Sequence, residues 1–275
     1  MSKGTLQGAQ ERGWLTGFGN LLRRENASWW GTRTWWVHAI IWLAIINGVL
    51  AALLWTVPSG PEGGTAQGQL PAEQRVPEAV EVFMIIGGMA TAVGVSIVAQ
   101  GAIIDERQSG TLEWILSKPV ARPAVLLAKL IALGVGALAI MVALQGLVAY
   151  LQMMLAGHAP AALPFIGGLG LVGLNLLFYL ALTLMLGVLF ANRGPVIGIP
   201  LGLIFGYQII LGLAPWLAQI TPYGLVVPTG PDNTGMAALL AQGGTPPSTL
   251  PIFATMLWII LFVGVAVWRF ERLEF

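Results

Sequence analysis

The sequence predicts an all-α fold: a polytopic membrane protein of six transmembrane helices, with an amphipathic interfacial helix before the first span and a short helix in the loop after the second. Three observations carry this. Only 9% of the residues are charged and 56% are hydrophobic, whereas a soluble domain carries about 25% charged residues. The apolar residues gather into runs of about 20, the length a helix needs to cross a hydrocarbon core about 30 Å thick. The runs do not alternate polar with apolar, as the strands of a β-barrel would. In hydrocarbon every backbone N–H and C=O needs an internal partner, so the runs are helices.

The first element is the interfacial helix. Trp14, Leu15, Phe18, Leu21 and Leu22 recur at helical spacing, with Glu11, Arg12, Asn20, Arg23 and Arg24 mostly around the other side. Such a helix lies in the membrane surface. Trp29, Trp30, Trp35 and Trp36 follow where the first span enters. Indoles favour the headgroup region, so these read as an aromatic belt. The spans are predicted at Trp35–Trp55, Val80–Ile104, Ala124–Leu155, Pro164–Ala191, Pro195–Ile220 and Pro251–Trp268. The third and fourth exceed the hydrocarbon thickness and tilt or extend beyond it. The first starts well into the chain and lacks a small-residue cleavage site, so it is expected to be a span and not a cleaved signal peptide.

This divides the chain into a cytoplasmic N-terminus (1–34), a six-helix domain (35–268) and a cytoplasmic tail (269–275). The loop after the second span covers 105–122, and outer loops cover 56–79 and 221–250. Pro58–Pro77 holds four Pro and four Gly and reads as irregular. Within the second outer loop, Gly235–Gln242 suits a short helix against the outer face. With both termini in the cytoplasm, twelve of the thirteen basic residues lie inside and only Arg75 lies outside. That asymmetry is the positive-inside rule.

Catalytic signatures are scarce. There are no cysteines, and the two histidines, His38 and His158, fall near opposite faces. No zinc-protease, nucleophile-elbow or phosphate-cradling motif is present, so the chain cannot hydrolyse ATP by a P-loop of its own. Glu81 sits at the outer end of the second span and reads as an interfacial carboxylate. The apolar cores of the spans hold almost no ionisable residues, and among their uncharged polar groups Asn47, Gln145, Asn175 and Gln208 stand out. Such groups usually hydrogen-bond between helices, and a fraction can line a substrate path. Gly194, Gly198, Gly202 and Gly206 repeat every four residues along the fifth span. The stripe suits close helix packing within the chain or with a second protomer. Pro200 lies between them and is expected to kink the helix.

The most informative segment is the loop Ile104–Arg122. It starts with a charged cluster, breaks at Gly110 and resumes as a short helix. Thr111 is placed to cap that helix. Leu112, Ile115 and Leu116 form one apolar side, and Pro119 ends it. Spacing alone suits a docking element for another protein and a helix resting on the membrane equally.

This loop resembles that of the permease subunits of ABC-2 type exporters. The matches are Glu106, Arg107, Gly110, Thr111, Leu112, Leu116, Ser117, Pro119, Arg122 and Lys129, with basic residues and then Glu25 before the first span. The resemblance implies a non-catalytic permease whose loop is a coupling helix, formed by Glu106, Arg107, Gly110, Thr111, Leu112, Ile115, Leu116 and Pro119. It implies that the N-terminal helix, with Leu21, Leu22 and Glu25, is the connecting helix. It also implies two copies of a separate ABC ATPase that bind ATP and Mg, and a second permease copy or close homologue in the cell membrane. The loop's exposed ion pairs are expected to contribute about 0–1 kcal/mol each, leaving stiffness to packing.

Few charges in the spans suit a hydrophobic or amphipathic cargo. The competing classes are a secondary carrier or channel, which predicts buried charge, and an intramembrane enzyme, which predicts convergent His, Asp or Ser groups. The spans show neither signature.

Overall fold

A computed structural model describes residues 13–56, 72–229 and 234–273. The interfacial helix α1 is Phe18–Trp30. Spans follow as α2 (Trp35–Trp55), α3 (Val76–Gln108), α5 (Arg122–Leu155), α6 (Ala162–Leu189) and α12 (Leu250–Glu271), with the short helix α4 (Thr111–Leu116) between α3 and α5. Where the fifth span was predicted lies a bent pair, α7 (Arg193–Phe205) and α8 (Tyr207–Leu213), which together form a broken span or a re-entrant loop. Three short helices then run along the face opposite the basic loops: α9 (Leu217–Ile220), α10 (Tyr223–Val226) and α11 (Met236–Ala241). The last of these sits where Gly235–Gln242 was predicted. The irregular segment Pro58–Pro77 is only partly described. Its end is helical, because the second span's helix already begins at Ala72 and carries Pro77 inside it.

Hydropathy does not decide which helix is central. The outermost span, α12, is at least as apolar as α6, yet α6 is the most buried span and packs on α3, α11 and α12. Lipid tails are as apolar as leucine, so helices associate through close fit instead. Small residues provide that fit. A Cβ at Gly168 would lie 2.5 Å from the Ala237 carbonyl, so only glycine lets α11 settle on α6. A Cβ at Gly94 would lie 2.5 Å from the Trp42 ring, and one at Gly136 would lie 2.5 Å from the Trp29 indole nitrogen.

That last contact corrects the aromatic belt. Trp30, Trp35 and Trp36 are exposed, but Trp29 is buried on α5 and stacks on His38 with 6.1 Å between ring centroids. Packing against a glycine, not the headgroup region, holds it. The amphipathic stretch also divides. Trp14 and Leu15 precede α1 and are exposed, whereas Leu21 is buried where α1 lies along α5.

Two spans widen locally. Leu43–Asn47 and Ala52–Thr56 in α2, and Leu138–Ala143 in α5, are π-helical. Wide turns disturb the regular backbone ladder. Gln145 returns a donor, its Nε2 bonding the Ile140 carbonyl at 3.1 Å. Pro200 does not end the helix. α7 runs through it, and the chain bends by 62° at Gly206 instead. The glycine is where α7 ends.

Candidate functional site

The short helix α4 projects from the face that carries the basic loops. Gly110 makes the corner. Its φ of 70° is left-handed, a conformation only glycine adopts freely. It closes α3 by donating to the Arg107 carbonyl at 3.3 Å and opens α4 by accepting from the Trp114 amide at 3.2 Å. Thr111 is therefore the first residue of α4 and not its cap. Its hydroxyl lies 2.8 Å from that of Ser109. Pro119 lies three residues beyond Leu116, past the end of the helix.

α4 turns its apolar side inward. Leu112 and Ile115 are buried in the chain's own core and Leu116 packs against it. The side expected to meet a partner is already used. Facing solvent instead are Glu113, Trp114, Ser117 and Lys118. Trp114 is 61% exposed, with the Lys118 ammonium 4.8 Å from its ring centroid.

Behind α4, the consecutive residues Asp105, Glu106 and Arg107 each reach a different helix. Asp105 pairs with Arg193 at the start of α7, at 2.5 Å. Glu106 Oε1 lies 2.8 Å from the Lys129 ammonium on α5 and 3.8 Å from Arg24 on α1. Arg107 donates to the Val188 carbonyl at the end of α6, at 3.3 Å. That carbonyl belongs to the last turn of a helix and lacks a partner within it. One turn of chain thus anchors the loop to four helices.

Lys129 is the centre of this cluster. Its side chain is 4% exposed and it also meets Glu25 of α1 at 3.0 Å. Glu25 and Glu106 are 16% and 17% exposed. These are not the exposed pairs the sequence suggested. A buried ammonium is tolerated only when paired, and removing one partner of such a group is far costlier than losing a surface pair. Glu106 Oε2 and Arg107 Nε are buried without a hydrogen-bond partner among the described residues.

Two further ties hold the loop's far end. The Ala121 amide donates to the Thr16 carbonyl at 2.9 Å, strapping the chain before α1 to the loop. Arg122 Nη1 donates to the Glu271 and Leu273 carbonyls, at 2.7 and 2.6 Å, and so caps α12.

Of the four uncharged span residues singled out, Asn47 and Gln145 meet, while Asn175 and Gln208 each bond elsewhere. Asn47 Nδ2 donates to Gln145 Oε1 at 2.8 Å, and Gln152 Nε2 donates to Asn47 Oδ1 at 3.3 Å, joining α2 to α5. Asn175 donates to the Gly88 carbonyl at 2.9 Å, between α6 and α3. Gln208 is exposed on α8 and donates to the Tyr207 hydroxyl at 3.2 Å. Gly194, Gly198 and Gly202 face outward with nothing near the position of a Cβ, and Gly206 marks the bend. The stripe therefore packs against no other part of the described chain.

The roles of Lys129, Asp105 and Arg24 were not singled out from sequence. The available signal was a lone lysine inside an otherwise apolar run, with carboxylates far away in the chain.

A family model described as "ABC-2 family transporter protein" matches residues 31–275. Two relatives are similar over nearly their whole length. The "Probable ABC transporter permease protein NosY" of Stutzerimonas stutzeri is 24% identical over 271 residues, covering 90% of this chain and 93% of the relative. The protein of the same name from Pseudomonas aeruginosa is 28% identical over 268 residues, covering 88% and 90%.

Proposed function

The chain belongs to the ABC-2 transporter family, and from that membership we propose that it is the permease subunit of an ATP-driven exporter, coupled through α4 to a separate ATPase subunit. The observation that carries this reading is the anchoring of Asp105-Glu106-Arg107 to four helices behind an exposed tryptophan. A lever must be stiff toward the body it moves and accessible to what pushes it. The three charged residues and the buried Leu112 and Ile115 supply the stiffness. Trp114, Glu113 and Lys118 supply the accessible surface. Large aromatic side chains seated in a partner's pocket carry a large share of interface energy.

In this reading α1 is the connecting helix, bound to the lever through Glu25 and Lys129. The nucleotide and its Mg sit in the partner, and closure of two ATPase copies on two permeases moves both levers. The outward-facing Gly194, Gly198 and Gly202 suit the contact with the second permease. Both termini lie in the cytoplasm of a cell-membrane protein, as the basic loops favour. The cargo is hydrophobic or amphipathic, because the cores of the spans hold few charges and the buried amides of Asn47, Gln145 and Asn175 are bonded within the protein.

The test is copurification from mild detergent with an ATPase assay. A stoichiometric P-loop ATPase, retained by the parent chain and lost on Trp114→Glu with the fold intact, is the expected result. A clean permease with no ATPase after chemical crosslinking in the membrane overturns the reading. Polar substitution of Leu112 or Ile115 is unsuitable here, since both are core residues.

A further inference from the structure

Between α5 and α6 lies an apolar cavity of about 650 Å³, open sideways along the membrane-facing surface. We infer that it is a binding site for one acyl chain of a phospholipid from the leaflet opposite the basic face. Of its lining residues Gly146 and Phe165 are buried, whereas Leu147, Ile166 and Gly170 are exposed. The single polar side chain lining it is Tyr150, whose ring leans on Phe165 with 5.5 Å between centroids.

The position identifies the occupant. The lining residues run over 138–150 of α5 and 162–177 of α6. At about 1.5 Å per residue these stretches are about 18 and about 22 Å long. Half a bilayer, headgroups included, is about 20–22 Å thick. The groove therefore reaches from the headgroup level to the midplane and stops, which is the reach of one lipid tail. It is the half of both helices away from the basic loops.

The lining argues in the same direction. Water is disfavoured by the lining, since a water molecule needs two to four polar partners. An empty groove would forfeit the dispersion contacts its walls can make. Hydrocarbon is what surrounds it. At the mouth, the turn between the helices over residues 156–161 carries His158 and no Asp, Glu, Lys or Arg, so the site retains a lipid chiefly by its chain.

The test uses the full chain in liposomes of phosphatidylethanolamine and phosphatidylglycerol doped with a phospholipid that bears a diazirine on its acyl chain. After irradiation, adducts are mapped by mass spectrometry. Labelling is expected to concentrate on the two groove stretches, several-fold above exposed Phe253, Leu257 and Ile260 of α12. Gly170 has open space at its Cβ, so Gly170→Phe fills the groove without displacing a neighbour. It is expected to remove most groove labelling, and Gly170→Leu to reduce it, whereas Gly264→Phe on α12 leaves it unchanged. Even labelling of all lipid-facing spans, or groove labelling indifferent to Gly170→Phe in a folded protein, overturns the proposal. So does a copurified membrane subunit that crosslinks there in place of lipid. Headgroup-independent labelling is expected, and strong preference for the anionic probe counts against retention by the chain.

Discussion

The Lys129 ammonium lies 2.8 Å from the Glu106 carboxylate with 4% of the lysine side chain exposed. The two residues sit on different helices, and Glu25 of a third helix completes the contact at 3.0 Å. The cluster locks the N-terminal helix, the end of the second span and the third span to one another at the base of the projecting helix.

Replacing Lys129 by Met leaves two carboxylates facing each other with little water. We expect a loss of about 3–5 kcal/mol of stability, the usual cost of removing one partner of a buried pair. Thermal unfolding in detergent checks it. Lys129→Met with Glu106→Gln is expected to recover part of the loss, because the neutral amide no longer needs a counter-charge. An unchanged melting temperature in the single variant would show the pair to be solvated.

Trp114 makes the opposite prediction. Its side chain is 61% exposed, so Trp114→Ala is expected to leave the melting temperature within about 1 °C, since exposed sites away from special features shift stability little. If the proposed ATPase partner docks on this helix, its association is expected to weaken by about 2 kcal/mol or more, some 30-fold, as for an aromatic anchor. Binding between the purified subunits, measured on immobilised permease, checks it. Equal affinity would move the contact elsewhere on the loop.

Gly110 holds the corner at a left-handed φ. Gly110→Ala is expected to cost about 1–2 kcal/mol from the Cβ alone. Gly110→Asn is expected to cost less, because asparagine visits that region more readily. Transport-linked ATPase activity should follow the same order if the corner sets the lever's direction. An activity loss identical for both variants would assign the effect to the added side chain near Glu113.

Gly202 has open space at its Cβ. Gly202→Leu is therefore expected to leave the fold of one chain unaltered. If the stripe meets a second permease, the bulk keeps the backbones apart and dimer recovery after crosslinking falls. Undiminished dimers place the contact on another face.

Much of this architecture was legible in the sequence. Spans are written in long apolar runs, and the corner in Gly110 between a charged cluster and a short apolar helix. Other features were not. The apolar side of α4 looks the same whether it meets its own core or a partner, so Leu112 and Ile115 were assigned outward. Pro200 is a stronger break signal than Gly206, yet the bend fell at the glycine. Lys129 and its carboxylates are 104 and 23 positions apart, which no local pattern reports. In a bilayer, hydropathy marks what is inside the membrane but not what is inside the protein, so Trp29 gave no sign that it sits on Gly136 and not at the interface.

The Lys129 cluster also has an electrical consequence. Arg24, Glu25, Glu106 and Lys129 carry two positive and two negative charges, so the group is neutral. Moving one elementary charge through the membrane field takes about 2.3 kcal/mol per 100 mV. A neutral group displaced as a unit does almost no such work. In the proposed reading, the stroke passed through it would draw nothing from the membrane potential and lose nothing to it, in energised and de-energised membranes alike.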